Sequence, residues 1–445
     1  MSRLRKYTLI VVLLIVLGIG GFVAYAWRAA IAPIAPPQAD SFDTTLVEQG
    51  RLVAAAGNCM ECHTASGGTP YAGGHVMKTP FGEIISTNIT PDPEHGIGQW
   101  SLAAFTRAMR EGVARDGSHL YPAFPYTAFT KMSDEDIHAV YAYLMSRPAE
   151  PVSPPETDLP FPFNQRALVA GWNLLFLDKG VYQPDPAQDA EWNRGAYLVH
   201  GAAHCMACHS PRNALGAEKD GKHFLAGGDV DGWHAPALNA DAPAAVPSTQ
   251  EALFQYLRHG HTADQGTANG SMAPVIAHGT SVIPESDVRA IARYIASYTG
   301  EASPQAVEDA RKAANDRAAE ATRGLDTDGA RIYAMTCVAC HEAAPQGERF
   351  GAQQPLWLGS TLYLDKPDNL LRFVLEGVQA PADPSLGFMP PFKDYLSDAQ
   401  LKSLTQYLRT ELAGQPAWEG MDEAIERVRK GEANPMWLAT GASNT

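Results

Sequence analysis

The sequence predicts an all-α chain in which one small helical unit occurs three times in tandem behind a single apolar N-terminal helix. Three observations carry this. The pattern Cys-x-x-Cys-His begins at residues 59, 205 and 337 and uses all six cysteines. Segments around each copy repeat in step, with apolar residues at helical spacing and no sustained strand alternation. At the N-terminus, Arg3, Arg5 and Lys6 precede an uncharged run from Tyr7 to Trp27, closed by Arg28.

That run reaches the roughly 20 residues a bilayer span requires. It exceeds the apolar core of a cleaved leader, about 7–15 residues, so an uncleaved anchor is favoured. Ala24-Tyr25-Ala26 also fits a small-x-small cleavage pattern. The basic residues at its start should stay in the cytoplasm and the rest be exported. Pro33, Pro36 and Pro37 then read as a stiff stalk outside the membrane. A net charge of −15 argues against a nucleic-acid partner, whose phosphates would repel the surface.

Each repeat opens with a short helical stretch containing glycine: Gly50-Arg51-Leu52, Gly195-Ala196-Tyr197 and Gly329-Ala330-Arg331. The cysteine motif follows. After the first two motifs come Ala72-Gly73-Gly74 and Ala226-Gly227-Gly228. A second helix ends in glycine in all three repeats, at Gly112, Gly260 and Gly377, which suits a left-handed C-cap. A last helix opens at Ser133-Asp134-Glu135-Asp136, Pro284-Glu285-Ser286-Asp287 and Ser397-Asp398, all good capping or first-turn residues. Near its end each carries a tyrosine, Tyr143, Tyr294 or Tyr407, expected to pack helix on helix.

The expected divisions are an anchor or signal and stalk (1–40), repeat one (41–150), a Pro-rich linker with an apolar bridging helix (151–187), repeat two (188–300), a charged helical linker (301–325), repeat three (326–412) and a C-terminal extension (413–445). No role is read for the extension.

The motif is the attachment signature of c-type haem. Two thiols about one helical turn apart add across the porphyrin vinyl groups, and the following histidine supplies the proximal nitrogen. Cys59, Cys62, Cys205, Cys208, Cys337 and Cys340 are thus expected to bind three haems, with His63, His209 and His341 on the irons. Zinc would need two further ligands at each motif, and no Cys/His partner pair repeats. A dithiol oxidoreductase would need the motif once. A methionine sixth ligand belongs in the loop before the last helix: Met272 in Gly270-Ser271-Met272-Ala273-Pro274 and Met389 in Gly387-Phe388-Met389-Pro390-Pro391. In repeat one the loop reads Tyr121-Pro122-Ala123-Phe124-Pro125-Tyr126. Met132 is the candidate there, although it aligns with the apolar Ile283 and Leu396; an open iron and His119 are the alternatives. Asn88 and Thr90 suit either a haem-propionate bond or a loop turn, and Trp100, Trp172 and Trp233 either porphyrin contact or core packing.

From Glu48 to Leu412 the chain resembles the triple-haem cytochrome c subunits of membrane-bound bacterial dehydrogenases. These serve alcohol, aldehyde, gluconate, sorbitol and fructose dehydrogenases and molybdenum hydroxylases acting on N-heterocycles. The resemblance rests on Thr79-Pro80-Phe81-Gly82-Glu83-Ile84-Ile85-Ser86-Thr87-Asn88-Ile89-Thr90-Pro91-Asp92, Gly96-Ile97-Gly98-Gln99-Trp100-Ser101, His119-Leu120-Tyr121-Pro122-Ala123-Phe124-Pro125-Tyr126, Ala170-Gly171-Trp172-Asn173-Leu174-Leu175-Phe176 and Gly195-Ala196-Tyr197-Leu198-Val199. It implies an electron-transfer subunit, not an enzyme, on the periplasmic face of the bacterial inner membrane. Its expected donor is a catalytic subunit of molybdopterin, flavin or PQQ type, and its acceptor ubiquinone or a terminal oxidase. Phe124 departs from many alcohol-dehydrogenase relatives and looks more like the molybdopterin-associated type. The rival readings are a stand-alone electron shuttle and a peroxidase-type enzyme working at an open first haem.

Overall fold

The computed structural model describes residues 3–342, 355–378 and 387–431. Its chain separates into two units, one holding Met1–Ala54 and Cys59–Gln183, the other the described residues from Pro184 onward with Ala55–Asn58.

In the first unit, α1 (Arg3–Ala26) is the apolar N-terminal helix. At 1.5 Å per residue its 24 residues span about 36 Å. Its side chains are exposed except for the half-buried Phe22 and the buried Ala26. The following segment is not a free stalk. The Ile31 amide donates to the Arg115 carbonyl (2.8 Å) and the Ile34 amide to the Gln99 carbonyl (3.1 Å). The Arg107 guanidinium donates to the Ala29 carbonyl (2.7 Å). Proline stiffness is legible in sequence, whereas these backbone partners some seventy residues onward are not.

The first repeat then builds from α2 (Thr44–Ala56), a hairpin of β1 (Val76–Thr79) and β2 (Gly82–Ile85), α3 (Leu102–Glu111) and α4 (Asp134–Met145). Ser101 caps α3 through the Ala104 amide, and Gly112 ends it in the left-handed region at φ 62°. Ser133 caps α4 through the Asp136 amide. Chain 151–183 stays with this unit. The Thr157 hydroxyl accepts from the Ile85 amide (2.9 Å), and Leu159 is buried. Within it, α5 (Leu168–Phe176) is tied down by its polar residue. Tyr126 Oη donates to Asn173 Oδ1 (2.6 Å), and Asn173 Nδ2 to the Glu111 carbonyl (3.2 Å).

The second unit repeats the plan twice. Repeat two has α6 (Ala190–His200), a hairpin of β3 (Gly228–Val230) and β4 (Trp233–Ala235), α7 (Gln250–His259) and α8 (Glu285–Thr299). Gly260 caps α7 at φ 78°. Pro284 occupies the α8 N-cap and makes no side-chain cap bond, so only the acidic first turn expected there is present. The linker helix α9 (Pro304–Ala321) is anchored, with Ala314 and Ala318 buried and Arg311 bridging to Asp264 (2.6 Å). Repeat three has α10 (Asp328–Thr336), α11 (Asp368–Glu376) and α12 (Asp398–Tyr407), the last opened by a Ser397/Gln400 capping box.

Past the third repeat, α13 (Met421–Arg429) buries Met421, Ala424, Ile425 and Val428 in the same apolar core as Leu371, Leu401 and Leu404. Arg427 closes this contact on Asp368 (2.9 Å). The described part of the extension therefore completes the core of repeat three.

The all-α expectation needs one amendment, because each of the first two motifs is followed by a short antiparallel hairpin. The β1–β2 register pairs Val76 with Ile85 and Thr79 with Gly82. The β3–β4 pair turns through Asp231 and Gly232, both at positive φ (49° and 78°), as a tight two-residue hairpin requires. Strands of three or four residues are too short to register as alternation.

Candidate functional site

Each repeat is framed by one helix crossing. A Cβ placed on Gly50 would overlap the Ala139 carbonyl oxygen and lie 2.8 Å from Tyr143 Cβ. On Gly195 it would overlap the Ala290 carbonyl oxygen and lie 2.8 Å from Tyr294 Cβ, and on Gly329 it would overlap Ser403 and lie 2.6 Å from Tyr407 Cβ. In all three repeats the helix before the motif thus meets the last helix backbone against backbone, beside the tyrosine singled out in the sequence. This contact fixes where the cysteine motif leaves the first helix.

The first motif starts a one-turn helix, Cys59–Cys62. In the others a one-turn helix follows the first cysteine, Met206–His209 and Val338–His341. His63 Nδ1 donates to the Thr87 carbonyl (2.6 Å), just past β2, and His209 Nδ1 to the Pro236 carbonyl (2.7 Å), just past β4. A carbonyl can only accept, so Nδ1 carries the proton and Nε2 keeps its lone pair for a metal. This hydrogen bond orients a metal-binding histidine and makes it more basic. The hairpins thus have a purpose the sequence did not show: each delivers the carbonyl that aims its histidine.

Burial lowers the pKa of His63 and of His209, keeping both rings neutral and able to ligate. Burial also pushes the Cys59 and Cys205 thiols up to about 12 and Cys208 to about 11. A dithiol oxidoreductase needs the opposite, a thiolate favoured near neutrality. None of the six cysteines is in a disulfide. Among the described residues no three His, Cys, Asp or Glu side chains gather as a metal cluster. Thiols in pairs beside a neutral, oriented imidazole fit a covalently attached haem.

Met272 opens a one-turn helix, Met272–Val275, and is half-buried. Half-buried Met389 pairs with Val378 through two backbone bonds of 3.0 Å. Met132 differs from both. It is 1% exposed, as buried as Ile283 at 2%, whose position it matches, so its side chain fills core space. His119 is buried and donates from Nε2 to the Ala26 carbonyl at the end of α1 (2.8 Å). Phe124 packs on Phe129 and Tyr126. Asn88 performs the turn role: Nδ2 reaches the carbonyls of Glu150 (2.8 Å) and Val152 (2.9 Å), and Oδ1 accepts from Thr90. Trp172 packs against Tyr126 and Phe176, and Trp233 against Phe373.

Fold and site together define a cytochrome c. A family model for cytochrome c matches residues 47–148, and one described as cytochrome c oxidase, cbb3-type, subunit III matches 324–408. The chain is 36% identical to the fructose dehydrogenase cytochrome subunit of Gluconobacter japonicus, over 86% of this chain and 83% of that one. It is 37% identical to the gluconate 2-dehydrogenase cytochrome c subunit of Pantoea cypripedii, over 83% and 86%. It belongs to the family of cytochrome c subunits of dehydrogenases. It is also 51% identical to a nicotinate dehydrogenase subunit of Pseudomonas putida over 93% of its own length, but spans only 34% of that protein.

Proposed function

We propose that this chain is a membrane-tethered electron relay. It takes electrons from a catalytic dehydrogenase subunit and delivers them toward ubiquinone or a terminal oxidase. The observation carrying this is the pair of oriented imidazoles, His63 on Thr87 and His209 on Pro236. A haem c held there supplies one-electron chemistry between ferric and ferrous iron.

The residues of the chain bind, orient and tune. Cys59 and Cys62, Cys205 and Cys208, and Cys337 and Cys340 hold one haem each, three in all. His63, His209 and His341 are the proximal ligands. Met272 and Met389 would supply the second protein ligand to the second and third haems, where a thioether would raise the potential and leave no position open to substrates. Met132 is the methionine available to the first haem, and to ligate it must leave its core position. In the first repeat the Tyr71 ring packs edge-on against Tyr143.

Nicotinate is an N-heterocycle, so the similarity to a nicotinate dehydrogenase subunit agrees with the molybdopterin-type partner that the sequence resemblance implies. The apolar α1 supports anchoring in the bacterial inner membrane with the haem domains in the periplasm. The test is protein made in a host competent in cytochrome maturation. Mass spectrometry and a pyridine haemochrome assay should each count three haems. Stopped-flow mixing should show reduction by the partner dehydrogenase and reoxidation by a quinone analogue. Fewer than three haems, or no reduction by any such partner, would overturn the reading. A second reading, a reactive first haem, draws support from Phe124 standing where a methionine was expected. Carbon monoxide binding to one haem in three would favour it.

A further inference from the structure

The segment Leu168–Phe176 helped carry the family resemblance yet holds none of the residues assigned to haem attachment or iron ligation. Its polarity is inverted for a soluble surface. The polar Asn173 points inward, bonded to Tyr126 and to the Glu111 carbonyl. The leucines point outward, with Leu174 70%, Leu175 68% and Leu168 49% exposed. A water-facing helix would show the reverse pattern.

This apolar face is continuous with α1. Leu168, Gly171 and Leu175 fall at i, i+3 and i+7, on one stripe. Gly171 lies against Phe22, a Cβ there meeting the Phe22 ring at 3.4 Å. Phe22 belongs to the last turns of α1, just before Ala26 is captured by His119. α5 therefore meets α1 about one turn from the end of that helix. Phe161 and Phe163, a few residues earlier in the chain, add exposed rings. Amphipathic helices of this kind settle in the boundary between headgroups and acyl chains.

We propose that Leu168–Phe176 is an interfacial membrane helix. It inserts Leu174 and Leu175 into the outer leaflet of the bilayer that α1 crosses, so that the first haem domain rests on the membrane. The proposal builds on the reading of α1 as an anchor. The occupant is lipid because the exposed stripe runs into the lipid-facing surface of the span itself.

The experiment uses the full haem-loaded chain in vesicles of phosphatidylethanolamine and phosphatidylglycerol. These contain a trace of phospholipid with a photoactivatable diazirine near the start of its acyl chain. After irradiation, peptides are mapped by mass spectrometry. Adducts are expected both on α1 and on 168–176. The double variant Leu174→Glu, Leu175→Glu should lose at least about nine-tenths of the 168–176 adducts while keeping those on α1. Adducts on α1 alone in the wild-type chain would overturn the proposal and leave the anchor standing. Adducts on neither would bring down the anchor reading first. Adducts on 168–176 that disappear when the catalytic subunit is bound would assign the face to that protein and overturn the lipid assignment.

Discussion

Replacing Gly195 by alanine sets two effects of opposite sign against each other. Alanine favours an isolated helix over glycine by about 1 kcal/mol. At this crossing the new methyl would overlap the Ala290 carbonyl oxygen and sit 2.6 Å from its carbon, where carbon atoms prefer roughly 3.5–4.0 Å. The obstacle is backbone rather than a flexible side-chain end, so α6 must move off α8 by about 1 Å. A gap of that size forfeits a quarter to a half of each dispersion contact it opens. The side chains at stake, Leu198, Val199, Val288, Ile291 and Tyr294, are all at most 2% exposed. The cost belongs at the upper end of overpacking, about 3 kcal/mol, leaving a net loss of about 2 kcal/mol. At roughly 2–4 °C per kcal/mol for a unit of this size, the Gly195→Ala protein should melt about 4–8 °C below wild type by calorimetry of the haem-loaded form. Equal or higher melting would show that the crossing is not close-packed and would remove the basis for treating Gly50 and Gly329 as its equivalents.

Serine at Cys205 and Cys208 should give a protein one haem lighter by mass spectrometry, with the other two attachments kept. Met272→Ala and Met389→Ala should each lower one midpoint potential in a redox titration and open one iron to carbon monoxide, whereas Met132→Leu should change stability more than potential. Asp229 lies between His234 (2.8 Å) and Lys366 (2.6 Å). Burial alone would raise its pKa, but these partners outweigh burial and hold it below the usual carboxylate value. Its stabilisation is therefore complete above the unfolded value of about 3.9 and is lost as the pH falls through the depressed folded value. Asp229→Asn should lower the melting temperature at neutral pH, and the difference from wild type should shrink below about pH 4.

Covalent and steric demands were legible in the sequence because they are local. Two thiols and an imidazole must sit together in five residues to hold a haem. A left-handed helix end calls for glycine, and Gly112 and Gly260 both supply it. Even the long-range pairing of Gly195 with Tyr294 left a trace, since both recur in step in every repeat. What escaped was set by partners far along the chain. The hairpins matter for one carbonyl each, at Thr87 and Pro236, and a carbonyl has no sequence signature. The inward-facing Asn173 depends on Tyr126 and Glu111, so α5 reads in sequence as an ordinary apolar stretch. Met132 looks like a ligand by residue type and like core by alignment, and in the structure it is as buried as Ile283.

The tight turn at Asp231-Gly232 has a wider effect. The Gly232 carbonyl accepts from Arg372 (2.9 Å), the Trp233 ring meets Phe373 edge-on, and the His234 amide donates to Asn369. Farther round, Asn269, three positions before Met272, donates to the Gly377 carbonyl, next to the Val378 that pairs with Met389 (3.2 and 3.0 Å). The second and third repeats are thus pinned to each other both at the β3–β4 turn and at the loop that carries Met272. If both repeats hold a haem as proposed, these contacts would keep the spacing between the two cofactors fixed, and electron exchange between them should be insensitive to solvent viscosity.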